Sequence, residues 1–161
     1  MWSKTINFVN KTTEFVTSTF LVVMVVVVFL QIVSRIIIQS SFPWTEELSR
    51  FLMIWLTFLG AAFSFQYGAH IGITLITNKI PKKLSAILQM IVAVLCIVLF
   101  AILMVKGYEL VMKSASQVSP ALGIPMNYVY AVIPISGFLM TINVIDVTIK
   151  QSMTLWKGGS N

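Results

Sequence analysis

The stretch Phe20-Leu21-Val22-Val23-Met24-Val25-Val26-Val27-Val28-Phe29-Leu30 decides the class of this protein. It lies inside a longer apolar run from about Phe15 to Ile38. As a helix rising about 1.5 Å per residue, that run spans a hydrocarbon core of about 30 Å. A secretory leader has an apolar core of roughly 7–15 residues that ends at a small-residue cleavage site. This run is longer and ends on Arg35-Ile36-Ile37-Ile38, so it is expected to persist as a membrane helix.

The rest of the chain agrees. Of 161 residues, 58% are hydrophobic and 10% charged, and the mean hydropathy is +0.94. A soluble domain of this size needs far more polar residues to cover its exterior. The expected fold is therefore an all-α integral membrane protein, a single membrane domain over residues 1–161. Its four transmembrane helices fall at about 15–38, 43–68, 82–112 and 127–149. Pro43 suits a first helical position, and Glu46 and Glu47 follow where the helix dipole favours negative charge. Pro134 and Gly137 predict a kink in the fourth helix. Carried on to Lys113, the third helix would be about 45 Å long, which places Lys106, Glu109 and Lys113 at or beyond the membrane interface.

The net charge of +6 does not point to nucleic acid, because the lysines sit at segment ends and form no basic stripe interleaved with aromatics. Lys4 and Lys11, then His70, Lys79, Lys82 and Lys83, then Lys150 and Lys157 all fall on one side of a four-helix path. Basic segments mark the cytoplasmic side, so both termini are expected to be cytoplasmic. A single cysteine, Cys96, and a single histidine, His70, exclude an internal disulfide, a cysteine cluster and a multi-histidine metal site. No cofactor is expected, and no nucleophile accompanies His70, so an enzyme is not expected either. Cys96 reads as an apolar filler, and His70 as a cap at the inner end of helix two. Asp146 with Lys150 reads as an i,i+4 pair. The middles of helices one, three and four show no acid, base or polar cluster.

Helix two carries the most information. At about 100° per residue, Trp44, Leu48, Phe51, Trp55, Phe58 and Ala62 share one face. Glu46, Arg50, Met53, Thr57, Gly60 and Ser64 share the other. The aromatic stripe suits lipid or a large partner surface. The second stripe begins charged and becomes small, which lets another membrane helix approach closely. Charge near a bilayer persists when it is paired, so Glu46 or Glu47 with Arg50 is read as a clamp to another helix or subunit. Two alternatives stay open: simple interfacial pairing worth a few tenths of a kcal/mol, and a proton or ion site. Arg35, at the outer end of helix one, either snorkels to headgroups or pairs with Glu46 or Glu47.

Trp44-Thr45-Glu46-Glu47-Leu48-Ser49-Arg50, Trp55-Leu56-Thr57-Phe58-Leu59-Gly60-Ala61-Ala62 and His70-Ile71 resemble the small membrane subunit (DctQ type) of tripartite ATP-independent periplasmic, or TRAP, transporters. Ser119-Pro120-Ala121-Leu122-Gly123-Ile124-Pro125, followed by Tyr128, Tyr130, Pro134 and Gly137, fits the same family. The chain departs from the family pattern after Ile71, where Gly72-Ile73-Thr74 supplies no acidic residue. The resemblance implies a non-catalytic scaffold in the bacterial inner membrane, embedded in membrane lipids. It would brace a large sodium-coupled elevator subunit in a stable heterodimer, and a periplasmic substrate-binding protein would deliver an organic anion such as sialic acid or a C4-dicarboxylate. Subunit-interface residues would be Trp44, Glu46, Glu47, Arg50, Trp55, Gly60 and Ser64, with Lys106, Glu109 and Lys113 placed to meet the binding protein. The competing reading is a self-associating small channel or exporter, which would need polar residues around a central cavity.

Overall fold

A computed structural model describes the backbone of residues 2–37, 39, 42–77 and 82–157, and the side chains of residues 5–37, 39, 42–66, 84 and 87–149. Among the described residues there are five helices: α1 (Trp2–Ile37), α2 (Pro43–Thr77), α3 (Lys82–Lys113), α4 (Met126–Tyr130) and α5 (Val132–Lys157). Four segments among the described residues are long and apolar enough to cross a membrane: Thr5–Ile37, Pro43–Gln66, Ile87–Lys113 and Met126–Ile149. The expected four-helix membrane fold is present.

The helix ends differ from the hydropathy limits. α1 starts at Trp2 rather than near Phe15, and α2 continues to Thr77 rather than stopping near Gly68. Hydropathy marks what lipid can cover, whereas a helix persists as long as packing holds its face. Ile6 and Asn10 are buried well before the apolar run begins. His70 accordingly lies within α2 rather than at its end; its side chain lies outside the described residues.

The fourth crossing is interrupted at Ala131, between α4 and α5. Pro134 has no N–H to give the carbonyl of Tyr130, and its ring crowds that turn. Ala131 keeps helical angles (φ −57, ψ −25), and the Ile135 N–H reaches the Ala131 carbonyl at a long 3.4 Å. The helix is therefore interrupted in the turn before Pro134.

The four long helices form an open row rather than a closed bundle. α2 and α5 pack together in the middle, α1 lies along α2, and α3 lies along α5. Among the described residues, α1 meets α5 only at its margin and does not pack against α3. Along α1, Ile6, Asn10, Thr13, Thr17, Phe20, Met24, Val27, Gln31 and Ser34 are buried or half-buried. Their alternating four- and three-residue spacing is the 3.5 period of a left-handed supercoil. Phe8, Phe15, Val22, Phe29 and Ile36 face outward. Five of these nine inward residues are polar while large apolar ones cover the outside, the arrangement expected where the solvent is hydrocarbon. The Thr13 and Thr17 hydroxyls donate to the carbonyls of Val9 and Thr13, at 2.9 and 2.7 Å.

α3 and α5 approach through glycines. A Cβ on Gly107 would lie 2.8 Å from Ile133 Cγ2 and 2.9 Å from Pro134 Cδ, and one on Gly137 would lie 3.0 Å from Met104 Cγ. The apolar core joins Ala62 of α2, Phe100 of α3, and Met140 and Val144 of α5, with Cys96 packed at its edge. Phe65 meets Phe100 edge-on at 5.0 Å between ring centroids.

Beside this core lies a polar joint. Asn10 Nδ2 donates to Asn143 Oδ1 at 2.7 Å, and Asn143 Nδ2 donates back to Asn10 Oδ1 at 2.9 Å and to the Ala62 carbonyl at 2.7 Å. Both asparagines are 2% exposed. One pair of amides thus ties α1, α2 and α5 together at a single level. Each of α1 and α5 contributes one residue, so the joint arises between helices although neither shows a polar cluster by itself. Asp146, one turn further along α5, is also buried. The side chain of Lys150, its expected partner, lies outside the described residues.

Candidate functional site

The first turn of α2 sends its two carboxylates in different directions. The Thr45 side chain is fully buried, and its N–H and hydroxyl both donate to the Phe42 carbonyl, at 3.1 and 2.7 Å. Glu46 pairs with Arg50 at 3.1 Å on the outer surface, where both side chains are more than half exposed. Glu47, about 100° further round the helix, points into the chain. Its Oε2 accepts the backbone N–H groups of Ala121 at 3.0 Å and Leu122 at 2.8 Å.

Those two amides belong to a tight loop between α3 and α4. Ser119 N–H donates to the Ile124 carbonyl (2.9 Å), Gly123 N–H to the Ser119 carbonyl (3.1 Å), and Met126 N–H to the Gln117 carbonyl (2.9 Å). Ser119 Oγ accepts the Ile124 N–H at 3.2 Å. Gly123 adopts φ +65, a left-handed conformation that glycine takes without a Cβ penalty. The two sequence blocks, one at the head of α2 and one before α4, therefore meet at one carboxylate. Hydrogen bonds from backbone amides to an ionised carboxylate are among the stronger kind. Glu47→Ala is expected to lower stability by about 1–2 kcal/mol and to speed hydrogen exchange across residues 117–126. Exchange in that segment at the wild-type rate would show that Glu47 does not hold the loop.

The aromatic stripe of α2, expected to suit lipid or a partner surface, packs partly within the chain. Phe51 and Ala62 are buried. Trp55 meets Phe20 of α1 edge-on at 5.9 Å, and Leu48, Phe51, Leu52 and Trp55 line an apolar groove with Phe20, Ile124, Tyr128 and Val129. Trp44, beside Phe42, stays 41% exposed. The opposite stripe faces outward: Glu46, Arg50, Met53, Thr57 and Ser64 are exposed. A Cβ on Gly60 would meet nothing within 4 Å. Of the seven expected interface residues, Glu47 and Trp55 thus have partners inside the chain. Glu46, Arg50, Gly60, Ser64 and part of Trp44 look out. Arg35 makes no ion pair with Glu46 or Glu47 among the described residues, since Glu46 is taken by Arg50 and Glu47 by the loop.

On α3, Glu109 bridges Lys106 at 2.9 Å and Lys113 at 2.7 Å, on an open surface. Among the described residues, no group of three or more His, Cys, Asp or Glu side chains is placed to hold a metal ion.

Residues 24–154 match the family model described as tripartite ATP-independent periplasmic transporters, DctQ component. The chain belongs to this DctQ family. It is 30% identical over 152 residues to a Haemophilus influenzae protein named as a TRAP transporter small permease, covering 94% of each chain. It is 27% identical over 140 residues to the sialic acid TRAP transporter small permease protein SiaQ of Vibrio cholerae, covering 86% of this chain and 80% of that one. It is also 30% identical over 105 residues to the isethionate TRAP transporter permease protein DctMQ of Oleidesulfovibrio alaskensis. That match covers 64% of this chain but 16% of the longer protein. The DctQ family consists of transporter permease subunits rather than enzymes, and this member is a multi-pass membrane protein.

Proposed function

We propose that this DctQ-family chain is the non-catalytic small subunit of a TRAP transporter for organic anions, and that it braces a large permease subunit through the outward stripe of α2. One observation carries the reading. The chain packs much of its aromatic stripe against itself and leaves Glu46, Arg50, Thr57 and Ser64 exposed, with open space over Gly60. Lipid tails gain little from small side chains, which instead let a second helix come close. Charged groups near the bilayer persist where a protein surface completes their environment. The DctMQ match supports a large partner, because there a stretch like this one is part of a much longer permease.

The basic segments orient the subunit with both termini in the cytoplasm of a bacterial inner membrane. The head of α2, the loop held by Glu47, and Lys106, Glu109 and Lys113 then face the periplasm, where a substrate-binding protein docks. Relatives of similar identity are named for sialic acid and for isethionate. Substrate choice and sodium coupling accordingly belong to the large subunit, and sialic acid and C4-dicarboxylates both fall within the anion class.

The test is co-expression of the tagged chain with the large permease subunit of the same transporter. Equimolar copurification is expected, with substrate uptake in liposomes only when both subunits and the binding protein are present. Uptake by this chain alone, or no association with the large permease, would overturn the proposal.

A further inference from the structure

We infer that the partner-facing surface continues from α2 across α1, where the Glu14 carboxylate receives a cationic side chain from a helix of the large permease subunit. The inference rests on the subunit reading above and extends it to a second helix and a defined charge. Asn7, Lys11, Glu14 and Ser18 recur at four-, three- and four-residue spacing along α1, and all four are exposed. α5 approaches the other flank of α1, where Thr5, Ile6, Val9 and Asn10 line a shared groove with Leu139, Ile142 and Asn143. The Asn7 stripe turns away from α5 and towards α2, and Asn7 Oδ1 accepts the Gln66 Nε2–H at 2.8 Å. At 100° per residue, this flank of α1 and the Thr57, Gly60, Ser64 stripe of α2 open onto the same side of the helical row.

Charge selects the occupant of that face. Glu46 is already matched by Arg50. Glu14 makes no ion pair among the described residues, although Lys11 lies three residues before it. It stands where the apolar run of α1 begins, at the depth where anionic lipid headgroups repel a carboxylate. Gly60 and Ser64 beside it offer lipid little apolar area. A protein helix with small side chains opposite Gly60 and one lysine or arginine at the level of Glu14 satisfies both features.

The experiment places a photo-crosslinking residue at Glu14, Ser18 or Ser64, and for comparison at Val94 or Val98 on the exposed edge of α3. The full complex is irradiated in native membranes. Crosslinks to the large permease are expected from the first three positions and not from the α3 pair. Glu14→Lys is expected to reduce the recovered large subunit about tenfold, and Glu14→Gln less, while each variant chain purifies alone as a monodisperse species. Crosslinks confined to α3 in an intact complex would overturn this surface and leave the subunit reading standing. Crosslinks at Glu14 with full tolerance of Glu14→Lys would overturn the charge pairing. Absence of any wild-type complex would overturn both readings.

Discussion

Asn143→Ala is expected to destabilise the isolated chain by about 3 kcal/mol, the largest effect of any single truncation in its interior. The substitution removes three hydrogen bonds at once and leaves the Asn10 amide buried with neither donor nor acceptor matched. Hydrogen bonds between membrane helices average less than this individually. The added cost comes from stranding a polar group that is 2% exposed. Asn10→Ala is expected to cost less, because Asn143 keeps its bond to the Ala62 carbonyl. Replacing both asparagines by leucine is expected to recover much of the loss, since no polar group is then stranded. Unfolding of the single and double variants in micelles gives the coupling, expected at about 1–2 kcal/mol. Strictly additive losses would show that the two amides do not act as a pair.

How much of this was legible beforehand depends on the range of the interaction. The four crossings follow from local composition, and the structure places them as expected; the fourth is interrupted in the turn before Pro134. The two stripes of α2 were also legible, because 100° per residue is local geometry. Which stripe faces out was not. In water, the aromatic face must go inside, whereas a bilayer accepts it on either side and hydropathy carries no sign. Glu46 and Glu47 could not be told apart for the same reason. Neighbouring carboxylates diverge on a helix, and the amides that receive Glu47 belong to Ala121 and Leu122, far along the chain. The asparagine joint is assembled from three helices. The one available signal was Asn143, an amide within the otherwise apolar fourth crossing; Asn10 stands among polar residues ahead of the first apolar run and gave none. Gly107 gave no signal beyond being a glycine in a helix, a residue that costs about 1 kcal/mol there unless packing needs it. Its close approach to Ile133 and Pro134 supplies that need.

The second large effect is expected at Gly60, and its value lies in a contrast between the chain alone and the chain in its complex. Space around Gly60 is open within the chain, and tryptophan is a better helix former than glycine there. Gly60→Trp should therefore leave the isolated subunit at or slightly above wild-type stability. If the outward stripe of α2 packs against the large permease, the same indole enters a close helix–helix contact. Overpacking a well-fitted contact costs typically 1–3 kcal/mol or more, and about 3 kcal/mol is roughly a hundredfold in affinity. Trp44 and Arg50 at the head of the helix would be displaced with it, because one rigid helix carries all three residues. The most direct measurement is the dissociation constant between purified small and large subunits in nanodiscs, compared for wild type and Gly60→Trp alongside the unfolding of each small subunit alone. The account predicts unchanged unfolding and association weakened about a hundredfold; equal association by a Gly60→Trp subunit that folds normally would contradict it.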